Sequence, residues 1–222
     1  FSFGRDKVVS SVFGGMALIN QKSKIKNQKL REYQEKLPYP SYFWIFQQLL
    51  HPIAFSFILA SYNLWIGKIL LFFFQRLKLL SFPVYREEKE ARRPSDFPAK
   101  YPNALAVLLA HQLQKLEMFN ATRGAVAQQY RRELKNHEEI TLLPQVKGSI
   151  YLRFPMFVNT PETFIQKAKQ QGVLLGNWYH NVIDPTGVTY SAVGYTPGSC
   201  KKAEWAAKHI INLPTRITSQ EA

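Results

Sequence analysis

The sequence predicts an α/β fold, of α+β form over its C-terminal part, and three features carry that prediction. Residues 149–159, SIYLRFPMFVN, alternate in character as a half-buried strand does. Thr160-Pro161-Glu162 then reads as a helix start, with a threonine N-cap, proline at the first helical position and Gly172 as the stop. A second helix over residues 203–208 leads into the apolar strand HIINL, ended by Pro214. With VLLGNW at 173–178 returning as a further strand, these elements predict a small sheet covered by helices on one face.

A chain of 222 residues holds one large domain or two small ones. Its net charge of +14 points to an anionic partner: nucleic acid, an anionic membrane or a phosphorylated small molecule. No helix-turn-helix, zinc or RNA-binding signature accompanies the charge, so a nucleic-acid partner is not expected. The single cysteine, Cys200, excludes an internal disulfide and fits a reducing, cytoplasmic setting; with no partner base in view, it is expected to be a buried small residue. The chain starts on Phe1 rather than methionine, and we expect a fragment of a longer protein.

The elements follow in order from FSFGRDKVVSSVFGG, residues 1–15. Lys7 has an amine that can condense with a carbonyl, Ser2 a hydroxyl that can meet a phosphate, and Gly14-Gly15 a backbone free to turn. On local chemistry alone Lys7 is equally a solvated charge. The valine-rich residues 8–19 read as two short strands joined at a turn, and the cationic residues 21–36 as a surface helix. Residues 37–67 contain no Asp, Glu, Lys or Arg, and Pro52 is expected to interrupt this apolar span. A broken, interfacial or re-entrant helical segment fits, with Tyr42, Trp44, Tyr62 and Trp65 suited to the headgroup level. Lys22, Lys24, Lys26 and Lys29 precede the span, and Lys68, Arg76 and Lys78 lie within and after its apolar continuation, so residues 41–80 could meet an anionic membrane surface. A buried helical hairpin or an oligomer interface remains the other reading. Residues 83–102, with four prolines, form a linker. From Asn103 a single long helix is expected, with a buried stripe of Leu105, Leu109, Leu113 and Leu116 and His111 packed beside it.

Placed together, these segments resemble the DegT/DnrJ/EryC1/StrS sugar aminotransferases, pyridoxal 5′-phosphate (PLP) enzymes of fold type I. Ser2-Phe3, then Lys7, then Gly14-Gly15 is similar to the family's cofactor motif. PNALAVLLAHQLQKLEMFNATRGAVAQQYRREL resembles its long helix, and YLRFPMFV, GVLLGNWY and VGYTPGSCKKAEWAAKHIINLPT its small C-terminal domain. The resemblance implies a partition into residues 1–36, the end of the PLP-binding large domain; 37–97, an apolar helical insertion and linker; and 98–222, the long helix and small α/β domain. It implies Lys7 as the catalytic residue that binds the cofactor and moves a proton, and Ser2 as a phosphate contact. Arg5 would act on the lysine as a neighbouring like charge if it pointed the same way.

The departures are specific. Gly4-Arg5-Asp6 stands where the family often has His-Pro, and the family's Asn-Tyr-Arg motif is absent; gapless placement puts Pro98 and Lys100 at its Asn and Arg, leaving Lys100 as the substrate-binding candidate. Family members carry the acidic partner of the cofactor's ring nitrogen in an N-terminal half that these 222 residues do not include, so alone they are expected to be inactive. The implied reaction moves an amino group, from glutamate, to a nucleotide-linked keto-sugar in surface polysaccharide or related sugar biosynthesis, in a homodimer; no metal site is expected. The alternative is a membrane-peripheral basic module on the same scaffold without catalysis. A dehydratase is disfavoured, since that chemistry goes with histidine at the lysine position. Trp178, Tyr179 and His180 are read as core of the small domain, with a wall of the substrate cleft as the other reading.

Overall fold

The computed structural model describes residues 1–18 and 24–216, apart from the side chains of residues 24–26 and 63. The chain forms two compact units, one of Phe1–Tyr85 with Arg93–Leu116, the other of Arg86–Arg92 with the chain from Glu117 onward.

In the first unit, the described residues of the valine-rich stretch, 8–18, do not form strands, residue 19 lying outside the described part. Ser10 and Ser11 turn it back on itself: the Val12 N–H donates to Ser10 Oγ at 2.9 Å, and the Ser11 N–H to the Phe3 carbonyl at 3.1 Å. Such local bonds compete with a ladder, and among the described residues of this stretch the pairing is a single antiparallel bridge, Ser2 to Gly15. Helix α1, Lys24–Lys36, is the surface helix expected, residues 21–23 lying outside the described part. Helix α2 (Tyr42–Ala60) starts at Ser41, whose Oγ accepts from the Trp44 N–H at 3.1 Å.

Pro52 does not interrupt α2, contrary to expectation. The break comes at Ser61–Trp65 instead, where a 3-10 turn over Tyr62–Leu64 leads into Trp65 at φ 65° and helix α3, Ile66–Arg76. The two helices meet so closely at Gly67 that a Cβ there would lie 2.1 Å from the Ile58 carbonyl oxygen. Glycine at this crossing lets the chain double back. Ala54, Ile58 and Leu80 are buried between the helices, with Leu50, Phe55, Leu70, Leu71 and Phe74 around them.

The long helix expected from Asn103 is two helices. Helix α4 is one turn, Arg86–Lys89; α5 runs Asn103–Leu113 and α6 Leu116–Leu134. Between the last two, the Lys115 N–H bonds the Gln112 carbonyl at 3.0 Å, a three-residue spacing that tightens and ends the helix. The leucine stripe breaks with it: Leu105 and Leu109 are buried, whereas Leu113 is exposed. His111 is exposed too, not packed.

The second unit carries an antiparallel sheet in the order β1 (Ile140–Leu142), β2 (Arg153–Val158), β3 (Ile210–Pro214). Residues 173–178 add only a bridge from Gly176 to Asn212. Along β2 burial alternates, with Phe154, Met156 and Val158 inside. That face meets Leu134 of α6 and Phe164 and Ile165 of helix α7, Pro161–Gln170. Phe157 points the other way and its ring lies 4.9 Å from Trp205 of helix α8, Lys201–His209. Helices therefore cover both faces rather than one, because β2 carries bulky apolar side chains on each.

Candidate functional site

Lys7 sits at the tip of a loop closed at its foot. The Phe3 N–H donates to the Gly14 carbonyl and the Met16 N–H to the Phe1 carbonyl, each at 2.9 Å. Phe3, Val9, Ser11 and Val12 are buried and anchor the loop's flanks, while a turn from Gly4 to Lys7 (N–H to carbonyl, 3.2 Å) lifts the lysine outward. Its side chain is 32% exposed, and its Nζ is 3.7 Å from the Asp6 carboxylate. Ser2, in the bridge to Gly15, is exposed in the same loop.

Arg5 does not face Lys7. Its guanidinium donates to the Ser81 carbonyl at 2.9 Å and to Ser81 Oγ at 2.6 Å, and Ser81 Oγ in turn accepts from Gln48 Nε2 at 2.8 Å. Burial pulls the Arg5 pKa below its ordinary value, with the Tyr85 hydroxyl acting in the opposite sense. Tyr101 braces the far side of the loop: its hydroxyl bonds Ser11 Oγ and, at 3.3 Å, the Leu105 carbonyl. The ring also fills the space beside Gly14, at φ 120°, where a Cβ would come within 2.1 Å of it. None of Ser11, Ser81, Gln48 and Tyr101 stood out in sequence, because each joins the loop through contacts that only the fold creates.

Lys100 is held elsewhere in this unit. Its N–H donates to the Pro38 carbonyl at 2.8 Å, and its Nζ lies 5.2 Å from the centre of the Tyr39 ring. A hollow of about 610 Å³ is lined by Phe3, Gly15, Tyr101, Leu109, Leu30 and Arg31 among others, but by neither Lys7 nor Ser2.

In the second unit, Asn212 to Thr215 are fixed by side-chain bonds. Asn212 Nδ2 donates to the Trp178 carbonyl. Thr215, buried, donates from Oγ1 to the Tyr151 or Leu152 carbonyl (2.9 Å each) and accepts from Arg123 at 2.7 Å. The residues read as core differ: Trp178 is 45% exposed with the Arg153 guanidinium 3.6 Å above its ring, and Tyr179 and His180 are exposed. Cys200 is exposed as well, at the start of α8 rather than beneath it. Among the described residues no three His, Cys, Asp or Glu side chains stand together as a metal site would need.

Residues 81–221 match the DegT/DnrJ/EryC1/StrS aminotransferase family. The chain belongs to this family. Among solved structures it is similar to Spr1654 of Streptococcus pneumoniae in its PLP form, named as a candidate sugar aminotransferase, at 15% identity and a TM-score of 0.58 over 100% of this chain and 47% of that one. S. venezuelae DesV, in complex with a ketimine intermediate, aligns at 18% identity and a TM-score of 0.48 over 59% of this chain and 37% of its own. NtdA of Bacillus subtilis, with bound cofactor PMP, aligns at 22% and 0.45, over 55% and 30%. The chain thus spans less than half the length of each. No curated protein sequence matches it. The likeness to Spr1654 fits the mixed helix and sheet fold expected from the sequence.

Proposed function

We propose that this chain is the lysine-bearing and small-domain part of a PLP-dependent sugar aminotransferase, one that moves an amino group from glutamate to a nucleotide-linked keto-sugar in surface polysaccharide or related sugar biosynthesis. The observation behind it is Lys7, held half-exposed on a loop pinned at both flanks, in a chain of this family. The match begins at residue 81, so the role of Lys7 rests on its own loop. PLP, when bound, supplies an electron sink for bond cleavage next to nitrogen. Lys7 Nζ is the group that attaches it and afterwards carries the proton. Asp6, 3.7 Å away, is placed to hold the ammonium until the amine is needed. The Ser2 hydroxyl would donate to the cofactor phosphate, and Lys100, clear of any carboxylate among its described contacts, would meet the anionic substrate.

These residues fit one edge of the cofactor: an amine and a hydroxyl on one loop. The chain aligns with 47% of Spr1654, so the activity proposed is that of a whole enzyme of this family, and its homodimeric, cytoplasmic setting is part of the same proposal. A second reading, a basic scaffold of the family without catalysis, draws on the hollow that leaves out Lys7 and Ser2. One experiment separates the two. The protein is mixed with PLP, reduced with borohydride and mapped by mass spectrometry, with visible absorbance read beforehand. Modification at Lys7, lost in Lys7→Ala, supports the enzyme; a reducible lysine adduct that persists in Lys7→Ala removes Lys7 from its role.

A further inference from the structure

The hairpin of α2 and α3 has a complete interior and an uncovered apolar exterior. Its inward side chains already form the cluster around Ala54, Ile58 and Leu80. Facing out are Phe46, Ile53 and Phe57 of α2 and Ile66, Ile69 and Phe73 of α3, each between 48% and 67% exposed. Their spacings of three, four and seven residues make a continuous stripe on each helix. No carboxylate lies anywhere between Leu37 and Tyr85, whereas Lys68, Arg76 and Lys78 do.

We propose that this outer face docks on the surface of an anionic phospholipid bilayer, its aromatic and aliphatic side chains entering one leaflet. Three observations fit that occupant. Three of the hairpin's polar side chains are bonded from within: Ser56 donates to the Pro52 carbonyl at 2.9 Å, Ser61 to that of Phe57 at 2.7 Å, and Gln47 to that of Lys78 at 2.6 Å. These internal bonds lower the cost of bringing those three groups to low dielectric. At the turn, Trp65 is exposed and the Lys68 ammonium lies 3.9 Å from the centre of its ring, a pairing suited to headgroup depth. Finally, α3 has 11 residues, well short of the roughly 20 that cross a bilayer. Helix α2, at 19 residues, is long and apolar enough to cross by length and composition, but its Trp44 and Gln48 are buried in this unit and it turns back at Ser61–Trp65 into the short α3, which favours an interfacial placement of the hairpin. A second copy of the chain would be a poorer occupant, because a self-contact on this face brings cations together with no carboxylate between them. The inference is independent of whether Lys7 carries PLP.

The test is flotation of the protein with vesicles of phosphatidylcholine and phosphatidylglycerol in equal parts, against phosphatidylcholine alone. Expected are flotation with the mixed vesicles, loss of it with neutral ones, and binding weakened about tenfold or more in Phe57→Ser/Phe73→Ser, which removes two exposed rings. Lys68→Glu/Arg76→Glu, with apolar faces intact, should float no better with mixed than with neutral vesicles. Circular dichroism melts check that the variants are folded; quenching of tryptophan fluorescence by brominated lipid gives a second readout, expected in the wild type and reduced in Trp65→Phe, which keeps the face apolar. Wild-type protein that stays at the bottom of the gradient overturns the proposal. So does a stable dimer that Phe57→Ser/Phe73→Ser dissociates while vesicles leave it untouched.

Discussion

Gly14→Ala should loosen the loop that presents Lys7, and its size can be worked from two separate terms. The residue sits at φ 120°, outside the range an L side chain tolerates, which costs about 1–3 kcal/mol. The new methyl would also lie 2.1 Å from Tyr101 Cε2, so the ring must move, adding about 1–3 kcal/mol of overpacking. Moving the ring puts at risk its hydroxyl bonds to Ser11 and Leu105. The sum is roughly 2–6 kcal/mol, enough to lower the melting temperature by several degrees in a chain of this length. Tyr101→Ala removes the ring and with it the clash. The double variant should therefore be more stable than the two single losses add up to, by the overpacking term of about 1–3 kcal/mol. Urea unfolding of the four proteins measures this, and borohydride trapping of PLP at Lys7 tells whether the loop still presents its amine. Strict additivity would mean that the ring does not abut Gly14, and the account of the loop would fail.

Thr215→Val keeps the shape but removes the acceptor of Arg123 and the donor to residues 151 and 152, and should cost about 2–3 kcal/mol in urea unfolding; Thr215→Ser should recover most of it. Gly67→Ala should cost about 1–3 kcal/mol, because the Ile58 carbonyl leaves no room for a Cβ; a neutral result would mean that α2 and α3 do not cross there. Burial, reinforced by the Arg5 guanidinium, pushes the His51 imidazole down to about 4. The unfolded state, with an ordinary value of about 6.5, takes up its proton first as pH falls. Stability should drop between about pH 6.5 and 4 and level off below, by on the order of 1–2 kcal/mol after solvent screening; His51→Phe should flatten that part of a melting-versus-pH curve.

What could be read from the sequence was what local patterning controls. The alternation read over residues 149–159 narrows to β2, Arg153–Val158; the apolar run 209–213 became β3, Ile210–Pro214; and the Thr160-Pro161 signal opened α7 one residue on. Thr160 makes no side-chain cap bond, so proline at the first turn rather than the cap carries that start. What could not be read was set by tertiary partners. Pro52 stays inside α2, where Leu50 before it and Ala54 and Ile58 after it pack in one cluster with Leu70, Leu71 and Phe74 of α3. Short β1 carries almost no pattern of its own and exists by pairing Ile140 with Val158 and Leu142 with Met156. Around Lys7 the split is the same. The glycine pair and the lysine were visible as types at a spacing, but Ser11, Tyr101 and the Arg5–Ser81–Gln48 contacts join positions up to 90 residues apart.

Those long-range contacts tie the lysine loop to the foot of the hairpin. Arg5 is two residues from Lys7, and its charge is buried against Ser81, which follows α3, and through it against Gln48 in α2. Burying part of a guanidinium is costly, and its Nε is left without a hydrogen-bond partner. The Ser81 carbonyl and hydroxyl accept from its Nη2 and fix its direction. This explains why the hairpin has two kinds of end. Near Arg5, Gln48 and Ser81 are buried and Trp44 is packed, with its indole N–H on the Tyr85 hydroxyl at 3.0 Å. At the turn, Leu64, Trp65 and Ile66 are exposed and no buried polar group constrains them. The hairpin is thus fixed where it meets the lysine loop and free where it meets its surroundings. An apolar insertion that served only to fill the interior of this unit would show the reverse, buried at its turn and polar along its outer stripe.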